Sequence, residues 1–429
     1  MTGAGALLLL GVFAALMALS TPIAVALGLA GTLAIGIYDL GIMSMPTAVY
    51  TGIAKYPLLA IPLFILAGII FERAGVAARL VQFAGALVGQ WRGSLGLVAI
   101  LVAMVMGGIS GSGPADAAAV ATVMIPAMTR AGYPPAFSAS VIAAAGATAI
   151  LIPPSVGFIV YAVLVPSASV PALFAGGLIP GVLAGLSLVL PTVWLSRRHN
   201  FGLADREERP PVLKALREAV WGLLAPVIIL GGMRAGIFTP TEAAVVAVAY
   251  GAVVGIAIYR TLSWRDLYDV LAEAAEISAV VMLIIGLASV FGYAGNTLGA
   301  FDRLAQGILG LGVSSWAVLV LVNLMLLVAG MFLDAVSIYL ITLPLLLPLI
   351  AAYQWDPVWF GVVMTMNLAI GQFTPTLAVN LMVTGTVAGV PMEATVRWVI
   401  WLVAAMVGAL LLVMAVPDLA LWLPRRLGY

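Results

Sequence analysis

Apolar residues run almost unbroken along this chain, in stretches far longer than a strand and without period-two alternation, so the pattern predicts helices throughout. Proline and small polar residues punctuate the runs. Ser20-Thr21-Pro22 divides the first apolar stretch into two helices, and no Lys or Arg precedes Lys55. A cleavable leader needs an early basic segment and a short apolar core, so this start reads as retained structure. The chain has 429 residues, of which 64% are hydrophobic and 8% charged, with mean hydropathy +1.21. Globular domains carry about 25% charged residues, and one spanning helix needs about 20 apolar ones. An all-α polytopic membrane protein is expected, with room for about ten to twelve spans in the lipid bilayer.

Charge then suggests orientation. The stretch 196–218 holds six of the 18 basic residues: Arg197, Arg198, Arg206, Arg209, Lys214 and Arg217. The positive-inside rule makes it cytoplasmic, and on the same ground Arg260, Arg265, Arg425 and Arg426, with the C-terminus, are expected inside. Val220 to Met233 and Ala243 to Tyr259 read as an out-and-back pair with its tip, Arg234 to Thr241, outside.

The chain also resembles itself at an offset of about 220 residues. Asp116-Ala117 with Pro126 recurs as Asp334-Ala335 with Pro344, and Arg79-Leu80-Val81-Gln82 recurs as Arg303-Leu304-Ala305-Gln306. Ile152-Pro153-Pro154-Ser155 matches Phe373-Thr374-Pro375-Thr376, and Thr21-Pro22 matches Thr239-Pro240. Four matches in order predict a duplication, the usual build of a secondary transporter. If the repeats are inverted, the N-terminus lies outside and the number of spans is odd. The division is a first repeat over 1–195, with a re-entrant hairpin near 107–130 and a broken helix near 134–165, then a loop over 196–218. A second repeat over 219–429 has scaffold and arm at 219–300, a hairpin near 325–352, a broken helix near 358–390 and a last span at 396–423.

Backbone that is not helical at membrane depth must be buried in protein or line a cavity, which points to the paired breaks as the site. Ser110, Ser112, Gly113 and Asp116 mark the first hairpin tip, where Pro114 suits a helix start and Asp116 faces its positive end. Capping alone also accounts for Asp116. Thr148, Pro154 and Ser155 mark the first break. Its tandem prolines cannot donate hydrogen bonds, which frees carbonyls around Ala149 and Ile150 for a hard cation. Gly330 and Asp334 mark the second tip, while Asn367, Gln372, Thr374, Pro375, Thr376, Asn380 and Thr384 decorate the second broken helix. Neutral oxygens at this density suggest Na+; close helix packing by small residues is the plainer alternative. Glu242 reads as a helix-start acid, with gating or docking as the alternative, and Leu262 to Glu276 as an interfacial arm.

Other chemistries lack their residues. The only lysines are Lys55 and Lys214, with no P-loop around either, and His199 is the only histidine, lying in the basic loop far from Gly111-Ser112-Gly113. Without cysteine, and with one histidine, haem and zinc sites have no ligand set. No enzyme, no organic cofactor and no nucleic-acid surface is expected. Trp91, Trp355, Trp398 and Trp422 read as interfacial belt.

Five segments carry a family likeness: GGISGSGPADAAAVATVMIPAM, FSASVIAAAGATAILIPPSVGFIVY, GIFTPTEAAVVAVAY, MFLDAVSIYLITLPLLLPL and NLAIGQFTPTLAVNLMVTGTVAG. Together they resemble the large membrane subunit of tripartite ATP-independent periplasmic (TRAP) transporters, in its unfused form, over nearly the whole chain. The resemblance implies an inner-membrane, Na+-driven importer of organic anions that works with a small TRAP membrane subunit and a periplasmic substrate-binding protein. It also implies an elevator-type fold, with ion regions at Ser110 to Asp116 with Thr148, Pro154 and Ser155, and at Gly330 to Asp334 with Thr374, Pro375 and Asn380. A one-component dicarboxylate or citrate symporter would share the breaks, and a channel or structural subunit is the alternative of another class.

Overall fold

The computed structural model describes residues 2–202, 209–375 and 378–429; it is helical, with no strand among them. Among the described residues six helices are long and apolar enough to cross a membrane, the longest being Val170–Arg198 and Trp264–Thr297, with eight shorter apolar helices beside them. Ser196, buried in Val170–Arg198, returns its hydroxyl to the Thr192 carbonyl at 2.7 Å. Such internal bonding is what the absence of water demands.

The same order of elements occurs twice. In the first half, Ile23–Ile37 and Ala60–Arg73 precede the amphipathic Val76–Val88, two helices joined by a tight turn (Ser94–Ser110 and Gly113–Arg130), an interrupted helix (Pro135–Ala147, then Val156–Leu164) and Val170–Arg198. In the second half, Pro240–Val253 and Trp264–Thr297 precede the amphipathic Ala300–Gly310, a second turn-linked pair (Ser315–Gly330 and Ala335–Ala352), a second interrupted helix (Pro357–Gly371, then Val379–Ala388) and Val396–Ala415. The first pair is longer than the sequence suggests, its first leg starting at Ser94. The expected last span at 396–423 is two helices, because Pro417 ends the run and starts Asp418–Leu427.

Four helices from each half interlock at the centre. Gly113–Arg130 packs on Val379–Ala388, and Ala335–Ala352 packs on Val156–Leu164, so the returning leg of each hairpin touches the interrupted helix of the other half. Pro135–Ala147 is enclosed: every residue from Ala136 to Ala147 is buried. Around this centre stand Ile23–Ile37, Ala60–Arg73, Pro240–Val253 and Trp264–Thr297, packed mainly on one another.

The two ends of the molecule are distinct. At one end, Val170–Arg198 finishes in Arg197 and Arg198, and His199, Phe201, Phe137 and Trp398 form an aromatic cluster with centroids 5.2 to 5.8 Å apart. At the other end, Arg234 donates to the Leu427 carbonyl at 3.3 Å, and Lys55 to the Val163 carbonyl at 3.1 Å. The C-terminal helix therefore lies beside the tip at Arg234, away from the basic loop. Gly5 packs against Leu298 and Tyr38, beside Ala300–Gly310, which puts the start of the chain at that end too. This corrects the expectation that Arg425 and Arg426 share a side with the loop, and with it the odd number of spans. The physical reason is local: both arginines sit on Asp418–Leu427, a ten-residue amphipathic helix too short to cross, entered by a turn at Pro417 rather than by a continued span.

Candidate functional site

The first turn closes through Gly111, whose φ of +63° puts it in the left-handed region, and a side chain there would meet the Pro154 carbonyl. The first tip thus sits against the first break. Ser110 is buried and donates to Asp116 Oδ1 at 2.7 Å, while Ser112, the residue before the returning helix, makes no side-chain cap. Asp116 is 1% exposed and its second oxygen, Oδ2, has no partner among the described residues. Capping does not account for it.

The first break is tighter than the sequence predicts. Thr148 donates to the Ala145 carbonyl at 2.7 Å, and Ser155 donates to the Ile150 carbonyl at 2.6 Å while capping Val156–Leu164. One of the carbonyls expected to be free, that of Ile150, is therefore already satisfied by a hydroxyl. Pro154 presents its own carbonyl to the turn at Gly111.

At the second tip the structure separates two candidates. Gly330 is buried and its backbone abuts that of Gly371, at the end of Pro357–Gly371, so that a methyl on Gly371 would come 2.6 Å from the Gly330 Cα. Asp334 is exposed and caps Ala335–Ala352, accepting from the Ser337 amide at 3.1 Å and from its hydroxyl. The matched aspartates thus do different things: Asp334 is a cap, and Asp116 is a buried carboxylate. Thr374 returns its hydroxyl to the Ile370 carbonyl at 2.7 Å, and Pro375 follows it, half-buried. Thr376 lies outside the described residues.

A contact that the sequence did not announce joins the two halves. A methyl added at Gly113 would land on Gln372 Oε1 and lie 3.4 Å from both Asn380 Nδ2 and the Gly146 carbonyl. Asn380, fully buried, donates to the Ala143 carbonyl at 3.1 Å, which turns its Oδ1 away; that oxygen and Gln372 Oε1 have no partner among the described residues. Asn367 donates to Asn323 Oδ1 at 2.9 Å, and its own Oδ1 is likewise without one. Buried acceptors without partners are rare in folded proteins and call for an explanation. A further link was missed: Thr365 donates to the Gly361 carbonyl, so the Tyr339 hydroxyl, 2.6 Å away, donates to Thr365, while Tyr161 packs edge-on to Tyr339. Isolated hydroxyls in long apolar runs were the only available signal.

Helix ends set the local field. Ser94–Ser110 and Pro135–Ala147 point their C-termini at the first junction, as Ser315–Gly330 and Pro357–Gly371 do at the second. C-terminal ends carry about half a negative charge each and favour a cation; the N-terminal starts at Gly113 and Val379 that meet between them favour an anion. No group of three or more His, Cys, Asp or Glu gathers among the described residues. Glu242 completes a capping box with Thr239, whose amide donates to Glu242 Oε2 at 2.8 Å. Leu262 is buried, and Trp264 and Tyr268 on the arm are exposed.

Apolar spanning helices interrupted in pairs around buried, unpartnered oxygens define a multi-pass membrane transport protein. Residues 10–419 match the family described as "Tripartite ATP-independent periplasmic transporter, DctM component". The chain belongs to that family. It is 39% identical to the isethionate TRAP transporter permease protein DctMQ of Oleidesulfovibrio alaskensis over 96% of this chain, and spans 65% of that protein's length. It is also 39% identical to the C4-dicarboxylate TRAP transporter large permease protein DctM of Pseudomonas aeruginosa, over 94% of each. The fold is that of the YdaH transporter of Alcanivorax borkumensis, with a TM-score of 0.66 at 14% identity, covering 87% of this chain and 88% of that one.

Proposed function

We propose that the chain imports a small organic anion by coupling it to Na+. The observation that carries this is the set of buried acceptors without partners, Asp116 Oδ2, Gln372 Oε1 and Asn380 Oδ1, at the hairpin–break junctions. One carboxylate with neutral oxygens and helix C-termini suits a hard monovalent cation, and unwound backbone between half-helices is where secondary transporters bind their coupling ions. Ser110, Asp116, Thr148, Pro154 and Ser155 would hold one ion with Gln372 and Asn380 beside them; Gly330, Gly371 and Thr374 would offer backbone and hydroxyl oxygens to another. The amide groups that open Gly113–Arg130 and Val379–Ala388 would take the carboxylate or sulfonate of the substrate, adjacent to the cation. Relatives named for isethionate and C4-dicarboxylates support the anion class.

The doubled order of elements and the crossed packing of each hairpin on the other half support inverted repeats, with the interlocked centre moving as an elevator against the outer helices. With the basic loop cytoplasmic, both termini are periplasmic in the inner membrane. A small membrane subunit and a periplasmic binding protein complete the assembly, as the family description implies. Reconstitution with those partners tests the whole. Uptake of an organic anion should follow an imposed Na+ gradient and not a K+ gradient. Equal uptake without Na+ under a proton gradient would reject the coupling ion, and transport of free anion by the chain alone would reject the tripartite assembly.

A further inference from the structure

Each of the chain's two lysines lines one of two broad cavities, of about 640 Å³ at the basic end and about 510 Å³ at the other. The second cavity belongs to no part of the junctions described above. One wall is apolar and comes from the second hairpin, through Leu340, Leu343 and Leu347; the other is polar and comes from the outer helices. Ser289, Tyr293 and Asn296 recur at intervals of four and three in the apolar second half of Trp264–Thr297, which puts them on one face of the helix, and Thr51, Lys55 and Asp302 complete that wall. A polar stripe turned toward a cavity in a membrane protein marks a ligand pathway rather than a lipid contact.

We infer that this cavity is an anion-receiving vestibule in which the Lys55 ammonium binds the carboxylate of a small hydroxylated organic acid before it reaches the hairpin junctions. The inference rests on the reading of the chain as an organic-anion carrier. Lys55 spends one of its three donors on the Val163 carbonyl, at 3.1 Å, leaving two for a ligand. Among the described residues no ion pair within 4 Å neutralises it, Asp302 included. Ser289 and Tyr293 turn their hydroxyls to backbone carbonyls, so their oxygens remain acceptors; with the Asn296 amide and the Asp302 carboxylate they offer partners to substrate hydroxyls. Asp302 disfavours a second carboxylate at that wall, which is why a hydroxylated acid with one carboxylate fits best. The Val163 carbonyl lies in the last turn of Val156–Leu164, so Lys55 ties the vestibule to the interlocked centre.

The chain has no cysteine, so Thr51→Cys places a single thiol in the cavity of the full-length protein in liposomes. It is labelled at low salt with methanethiosulfonates carrying a sulfonate or a trimethylammonium group. A unit positive charge about 6 Å from the thiol favours the anionic reagent by about tenfold over the cationic one in water. Because Asp302 lies on the same wall, the readout is the change: Lys55→Gln should lower the ratio about tenfold, Lys55→Arg should keep it, and gluconate should slow labelling where sorbitol does not. A ratio unchanged by Lys55→Gln would overturn the assignment, as would equal protection by sorbitol. Labelling requires no transport, so a chain that moves no organic anion would count against the carrier reading while the charge preference of the cavity is still measured.

Discussion

Gly113→Ala isolates the contact between the halves. Gly113 is the first residue of its helix and its φ is negative, so alanine needs no left-handed backbone; as the residue before Pro114 it gains none of the propensity an interior position would give. The new methyl group would occupy the position of Gln372 Oε1, the far end of a flexible side chain that can swing aside, so the protein should fold. The site should not survive intact. Losing one oxygen from a charged ligand costs about 1.5–3 kcal/mol, and 1.4 kcal/mol is a factor of ten, so half-saturating Na+ should rise roughly tenfold to a hundredfold. Gly111→Ala is the control. It must adopt a left-handed φ, at about 1–2 kcal/mol, and drive its methyl into the Pro154 backbone carbonyl, which cannot move independently. That variant should lose abundance. The assay is initial uptake against Na+ concentration in proteoliposomes, scaled to folded protein by size-exclusion yield. If Gly113→Ala keeps the wild-type half-saturation with full yield, Gln372 is no ion ligand and the cross-half assignment fails.

Three further outcomes follow from named contacts. Asp334→Asn should leave Na+-dependent uptake near normal, because asparagine caps as well as aspartate, whereas Asp116→Asn should raise half-saturating Na+ at unchanged abundance; equal behaviour of the two would remove the distinction drawn between them. Thr239→Ala should lower thermal stability through loss of its capping box, worth about 1 kcal/mol, with uptake per folded molecule unchanged; reduced uptake at full stability would point to a gating role for Glu242. Tyr339→Phe gives up one buried hydrogen bond, worth about 0.6–1.7 kcal/mol between membrane helices, and a modest fall in melting temperature in detergent should register it.

Helix limits and breaks were legible because proline, glycine and serine act locally. Ser155 and Thr239 cap the helices that follow them, and Gly111 turns where a left-handed residue is needed. Roles that depend on burial were not legible. Asp116 and Asp334 stand at equivalent spacings, yet one is enclosed between a tip and a break while the other faces outward, and no local pattern distinguishes them. The approach of Gly113 to Gln372 was invisible for a related reason: an internal offset pairs positions that correspond, whereas these two correspond to nothing in each other's half. The basic residues near the C-terminus misled because 396–423 reads as one span, whereas the chain turns at Pro417 into a short amphipathic helix that carries them.

The enclosure of Pro135–Ala147 has a consequence for how the protein is made. Its cover comes in large part from Val379–Ala388 and Val396–Ala415, which leave the ribosome some 240 residues after it. At about 5–20 residues per second, the helix waits on the order of ten to fifty seconds with the Ala143 carbonyl unvisited by Asn380. During that interval its surface is open to lipid or to the insertion machinery. The first half of the chain is therefore unfinished when it enters the membrane, and its order of synthesis makes the last helices the ones that close the centre.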